Sequence, residues 1–207
     1  MLRAIFKERD TVREMPEWKD MKDIGMFRKK RIYNGLLTNI QPVEWRYLMY
    51  DNEARPRAVF TMWLACHGRL ATKARLMKFG MLDNKDCMFC ATEEDLNHLR
   101  FDCSVTRDIW RTVLRWQQLD HNPLDWEQEL KWIVHNCKGK SWKQRLLKTA
   151  FAETIYACWI YRNAIVYNTH DRDKERYRNI LREIIDIVVN RVSRKPNLRE
   201  RVIPLLL

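Results

Sequence analysis

The side chains best suited to chemistry lie in the run CMFCATEEDLNHLRFDC, which spaces Cys87, Cys90, His98 and Cys103 as C-x2-C-x7-H-x4-C. Two cysteines separated by two residues can grip one metal ion from a tight turn, and a His and a Cys separated by four residues can close a tetrahedron. Three thiolates and one imidazole suit Zn(II). A Cys3His set fills all four positions, so the expected site is one structural ion with no vacancy for an activated water. The metal would stabilise the fold rather than react. A thioredoxin-like redox pair would need a strand before the C-x-x-C, and the sequence supplies none. Chance burial of four separate side chains is the other competing reading, and ligand spacing at His98 and Cys103 weighs against it. The cluster would be anionic, with Lys85, Arg100 or Arg107 available to offset its charge.

The other cysteines, Cys66, Cys137 and Cys158, stand alone among apolar or aromatic neighbours, as buried structural thiols do. Arg3, Lys7, Glu8 and Arg9 interrupt the apolar run a secretory signal would need. The expectation is an intracellular protein, nuclear or cytoplasmic with the nucleus favoured, where clustered thiols hold metal more often than they form disulfides. The longest uncharged stretch, Ile32 to Val43, is twelve residues, against the roughly 20 of a membrane span. No membrane partner is expected. Adjacent aspartates of a polymerase core and a nucleophile in a recognisable motif are both missing, so no catalytic residue and no small-molecule substrate are assigned. His170, Asp171 and Asp173 read as a polar helix start.

The elements that must position the cluster read as helices. Residues 1–24 are charged and loosely amphipathic, divided by Pro16, and Phe27 to Leu37 suits a basic helix. Pro42 opens a short helix carrying Trp45, Leu48 and Met49. Pro56 opens another, whose Val59, Phe60, Trp63 and Leu64 form an apolar stripe ending at Gly68. Thr72 caps a helix running to Gly80, with Leu70, Leu76 and Phe79 inward, and Ser104 caps one carrying Ile109, Trp110, Val113 and Leu114. A short helix from Trp126 to Ile133 follows the break at His121-Asn122-Pro123. A long helix from Ser141 to about Asn168, apolar on most sides, implies deep burial. Asp171 or Asp173 starts the last helix, with a single stripe through Ile180, Ile184, Val188 and Val192. The fold class is mainly α, a helical domain with one irregular, zinc-stapled segment at about 81–103. Trp63, Leu64, Trp110, Leu114, Phe151, Ile155, Trp159, Ile184 and Val188 are the expected core.

Lys and Arg number 39 against 27 Asp and Glu, a net charge of +12. From Ala54 to Leu82 there are six bases and no acid. Such a field favours polyanions, nucleic acid first, although a basic surface also serves solubility.

The motifs reach further than the four ligands. Pro56, Arg57, Phe60, Trp63 and Leu64, then Arg69, Leu70, Thr72, Arg75 and Leu76, then the ligands with Leu99 and Phe101, then Ile109-Trp110, resemble one family throughout. It is the zinc-binding domain that follows the reverse transcriptase in LINE-type non-LTR retrotransposon polyproteins. The resemblance is dense over about 28–116, and Arg100 departs from it at a position commonly Phe. It implies a lead at 1–27, the zinc-binding domain at 28–118 and a helical tail at 119–207 packing on it. It also implies a non-catalytic accessory module associated with nucleic acid, from the C-terminal part of such a polyprotein. Two readings follow: RNA or DNA binding through Arg69, Lys73, Arg75 and Lys78, or a zinc-stabilised protein-interaction scaffold.

The purified chain is expected to hold one Zn(II) through Cys87, Cys90, His98 and Cys103. Metal analysis of the wild type and of Cys90→Ser checks this. Stoichiometric zinc that Cys90→Ser loses is the expected result.

Overall fold

The computed structural model describes residues 14, 42–167 and 174–195. Backbone contacts group the chain into units 1–43 and 44–207, and the elements below belong to the second. Seven helices are found among the described residues: α1 (Arg46–Met49), α2 (Pro56–Cys66), α3 (Lys73–Lys78), α4 (Ser104–Trp116), α5 (Trp126–Asn136), α6 (Trp142–Tyr167) and α7 (Lys174–Val192). A single π-helical turn, His98–Asp102, precedes α4. The described residues contain no strand, only an isolated bridge between Asp86 and Glu93. The mainly helical expectation holds. The expected helices within 1–24 and 27–37, and the starts at Asp171 or Asp173, lie outside the described residues. No described helix is long and apolar enough to cross a membrane.

Helix α6 organises the rest. Ser141 Oγ accepts from the Gln144 amide at 3.3 Å while Gln144 Oε1 accepts from the Ser141 amide at 3.0 Å, a reciprocal cap that starts the helix. Its residues 146–155 are all buried, and α2, α4, α5 and α7 pack around it. Charged residues on so enclosed a helix need partners. Glu153, fully buried, accepts from the Arg55 amide at 2.7 Å and from Arg55 Nε at 2.9 Å, which ties the start of α2 to α6.

Phe101, Trp110, Trp126 and Phe151 form an aromatic box, with Trp110 edge-on to Phe151 at 5.3 Å and stacked on Phe101 at 5.9 Å. Trp110 Nε1 donates to buried Glu129 at 2.6 Å. Leu114, Phe151, Ile155, Ile184 and Val188 are in the core as expected, with Leu64 and Trp159 packed against it.

Three expectations are corrected. Helix α2 buries Ala58, Thr61, Met62 and Ala65, so Val59 and Leu64 of the expected stripe only flank the core while Phe60 and Trp63 turn away from it. Ala58 and Ala65 present little bulk to α6, Met62 is the one large side chain of α2 that is fully buried, and the Phe60 and Trp63 rings are left outside. Phe79, expected inward, is 66% exposed, because α3 ends at Lys78 and Gly80 turns the chain with φ 67°. Ser104 is the first residue of α4 rather than its cap. Cys103 takes the cap position.

Replacing Trp110 by Ala is expected to cost about 3–5 kcal/mol in chemical denaturation, from lost volume in a sealed box. Trp110→Phe keeps most of the ring and loses only the donor to Glu129, so its cost should fall to about 1–3 kcal/mol.

Candidate metal centre

Residues 84–95 form a small clasp that carries the first two cysteines. The Cys87 amide donates to Thr92 O at 2.6 Å and the Glu94 amide to Lys85 O at 2.7 Å, with the Ala91 amide returning to Cys87 O at 3.0 Å. Ala91 adopts φ 58°, the left-handed conformation that turns the chain sharply after Cys90. This geometry aims the Phe89 amide at Cys87 Sγ, 3.4 Å away.

The second pair depends on the π turn. Residues five apart on an α-helix diverge by about 140° at 3.6 residues per turn. Here the Cys103 amide donates to His98 O at 2.8 Å, so the turn holds one extra residue and brings His98 and Cys103 to the same side. Asp95 Oδ1 accepts from the His98 amide at 2.7 Å and fixes the start of the turn.

The four ligand atoms lie within 4.8 Å of one another. Cys87 Sγ and Cys103 Sγ are 4.0 Å apart, Cys103 Sγ and Cys90 Sγ 3.9 Å, and Cys90 Sγ and His98 Nε2 3.1 Å. A tetrahedral ion with Zn–S bonds of 2.3 Å places its sulfurs about 3.8 Å apart. The cluster therefore fits one structural zinc ion. All six cysteines are free thiols. The neighbouring Cys103 thiol pulls Cys87 well below the usual thiol range, while the same contact and burial push Cys103 up. Burial instead pushes Cys66, Cys137 and Cys158 up to about 12, as inert structural thiols.

Residues 27–110 match the family described as zinc-binding in reverse transcriptase. The resemblance drawn from the motifs thus holds for that segment, which contains all four ligands. No curated protein and no solved structure matches the chain.

The domain's metal segment is anchored by charges that spacing did not reveal. Glu94 is fully buried and receives Arg162 Nη2 at 2.5 Å and Nε at 3.0 Å, and also the Lys73 amide at 2.8 Å. One carboxylate thereby joins the clasp, α3 and α6. Phe89, between the first two ligands, stacks on Tyr161 of α6 at 5.1 Å. Arg162 was visible as a lone base in the apolar run IYACWIYRNAIVY, while nothing distinguishes Glu94 from its acidic neighbours Glu93 and Asp95.

The bases separate into different roles. Lys73, expected on the surface, is buried, with Nζ donating to Asp86 O at 2.8 Å beside Cys87 and to Met88 Sδ at 3.1 Å. Its ammonium is held one residue from Cys87 and is withdrawn from any external partner. The three proposed counter-ions are occupied elsewhere. Lys85 pairs with Glu93 at 2.5 Å and Arg107 Nε donates to Phe101 O at 2.7 Å. Arg100 donates to Ala65 O with its guanidinium 4.3 Å over the Trp126 ring, the packing its departure from the family pattern left open. Arg69, Arg75 and Lys78 are exposed. Arg75 and Lys78 line one open cleft of about 400 Å³, and Arg75 Nη1 is held by Gly68 O at 3.0 Å.

Arg162→Met leaves Glu94 buried without its partner, which is expected to cost about 3–5 kcal/mol. Glu94→Gln with Arg162→Met should recover most of that loss. Denaturation of the zinc-loaded variants checks the order, and the single variant should also surrender zinc to a chelator faster.

Proposed function

We propose that this chain is a non-catalytic, zinc-stapled module of a LINE-type retrotransposon reverse-transcription machinery, and that it associates with RNA or DNA. The carrying observation is the closed cluster of Cys87, Cys90, His98 and Cys103 inside a segment of the reverse-transcriptase zinc-binding family. Four protein ligands saturate a tetrahedral zinc ion, which leaves no position for an activated water or a substrate atom. The ion's work is mechanical: it joins the clasp to the π turn and holds α3 and α4 at fixed separations.

Support for a nucleic-acid partner comes from charge. The net charge is +12, and Arg69, Arg75 and Lys78 reach solvent from a stretch without acids. Phosphate contacts through such bases release counter-ions, so affinity falls with salt by about 0.7 per contact on single strands and 0.9 on duplex, in log units. No base-reading helix is assigned, and the expected binding is without sequence preference.

Titration of labelled single-stranded and duplex oligonucleotides at two or more salt concentrations tests the reading. Arg69→Glu with Lys78→Glu is expected to weaken binding and shallow the salt dependence by between about 1.4 and 1.8. Zinc content should be unchanged. Salt-independent binding, or an unaltered affinity in the double variant, would replace this reading with that of a protein-interaction scaffold.

A further inference from the structure

We infer that the outer face of α2 is a stacking platform for single-stranded nucleic acid, built from Phe60, Trp63 and His67; this rests on the nucleic-acid reading above and names the surface and the strand type. Helix α2 wears its bulkiest side chains on the wrong side for packing. Ala58, Thr61, Met62 and Ala65 face the core. At 3.6 residues per turn, Phe60, Trp63 and His67 fall within an arc of about 60° on the opposite side. Phe60 is 58% exposed, Trp63 is half-buried and His67 is exposed.

The rings form a continuous row. Phe60 stacks on Trp63 with centroids 5.8 Å apart and planes inclined by 17°. His67 meets Trp63 edge-on at 4.4 Å and Trp45 at 4.9 Å, so the far end of the row is braced. A braced ring loses little freedom when a base stacks on it, and Phe60 at the free end offers an open face. An exposed aromatic row of this kind marks an interaction surface.

Charge selects the occupant. Arg57 stands one turn before Phe60, and Arg69 follows two residues after His67. Both are exposed and form no ion pair with any described residue. Arg75 is fixed beside them on Gly68 O. Ten residues of helix separate Arg57 from His67, about 15 Å. That length matches a few bases at 3.4 Å per stacked step, with cations at both ends for the phosphates. Aromatic faces joined to a basic track serve a strand whose bases are unpaired and are indifferent to sequence, whereas a duplex keeps its bases stacked on one another.

The test compares a single-stranded oligonucleotide with its duplex on the wild type, Phe60→Leu, Trp63→Leu and Phe60→Tyr. Loss of a stacking ring is expected to weaken single-strand binding by about tenfold or more for Phe60→Leu, leaving duplex binding unchanged. The salt dependence should keep its wild-type slope, because no charge is removed, while Phe60→Tyr retains affinity. Phe60 is exposed, so the variant should keep its zinc and its thermal stability. Wild-type affinity in Phe60→Leu, or an equal loss on duplex, overturns the platform and leaves the parent reading standing. A wild-type chain that binds no nucleic acid overturns both. A Phe60→Leu chain that changes from dimer to monomer assigns the face to a second copy instead.

Discussion

The hydrogen bond from the Cys103 amide to the His98 carbonyl sets the geometry on which the metal centre and the core both depend. Spanning five residues instead of four, it widens one turn and lets two ligands share a side. The same turn buries Leu99 and Phe101 between those ligands. Phe101 enters the aromatic box with Trp110, Trp126 and Phe151, so one end of the turn grips metal while its middle is held by the core. The turn ends at Cys103, which is also the cap of α4. An α-turn of the same length would misdirect either a ligand or Phe101.

Putting an anionic cluster into a folded body requires compensation nearby. Two sources are built in. The Cys103 sulfur sits at the amino end of a 13-residue helix, where the unpaired amides and the helix dipole would favour the thiolate that a metal ion takes up. Lys73 brings a buried ammonium to the Asp86 carbonyl, next to Cys87. The other buried charges act as joints. Glu94 with Arg162 fastens the clasp to α6, and Glu153 with Arg55 fastens α2 to the same helix. Each pair spends a desolvation cost to specify where two elements meet, which apolar contact alone leaves loose.

What could be read from the sequence was whatever residue type and spacing determine locally. Cys87, Cys90, His98 and Cys103 announce their geometry because few arrangements use those types at those intervals. The depth of α6 followed from apolar residues on all its sides, and Pro56 and Thr72 marked helix starts because their backbone roles are local. The rotation of α2 was hidden. Phe60 with Trp63, and Met62 with two alanines, both repeat at helical spacing, and choosing between the faces requires knowing how closely α6 approaches. Lys73 was misplaced for a similar reason. The carbonyl that receives its ammonium comes from Asp86, across a loop whose path the sequence does not specify.

The metal segment and the outward aromatic row meet at the end of α2. There the Gly68 amide donates to Ala65 O and the Arg69 amide to Leu64 O, the paired bonds of a glycine-terminated helix, with Gly68 at φ 67°. Leu96 presses against this turn so closely that a Cβ on Gly68 would sit 3.2 Å from its Cδ2. Arg100, from the π turn, donates to the Ala65 carbonyl in the same place. Both residues belong to the segment between Cys90 and Cys103, so the ligands that fix that segment also fix where α2 stops. His67 and Arg69 flank the stop, and Arg75 is bonded to its glycine. The placement of the four ligands thus governs the position of surface groups that lie outside their own cluster.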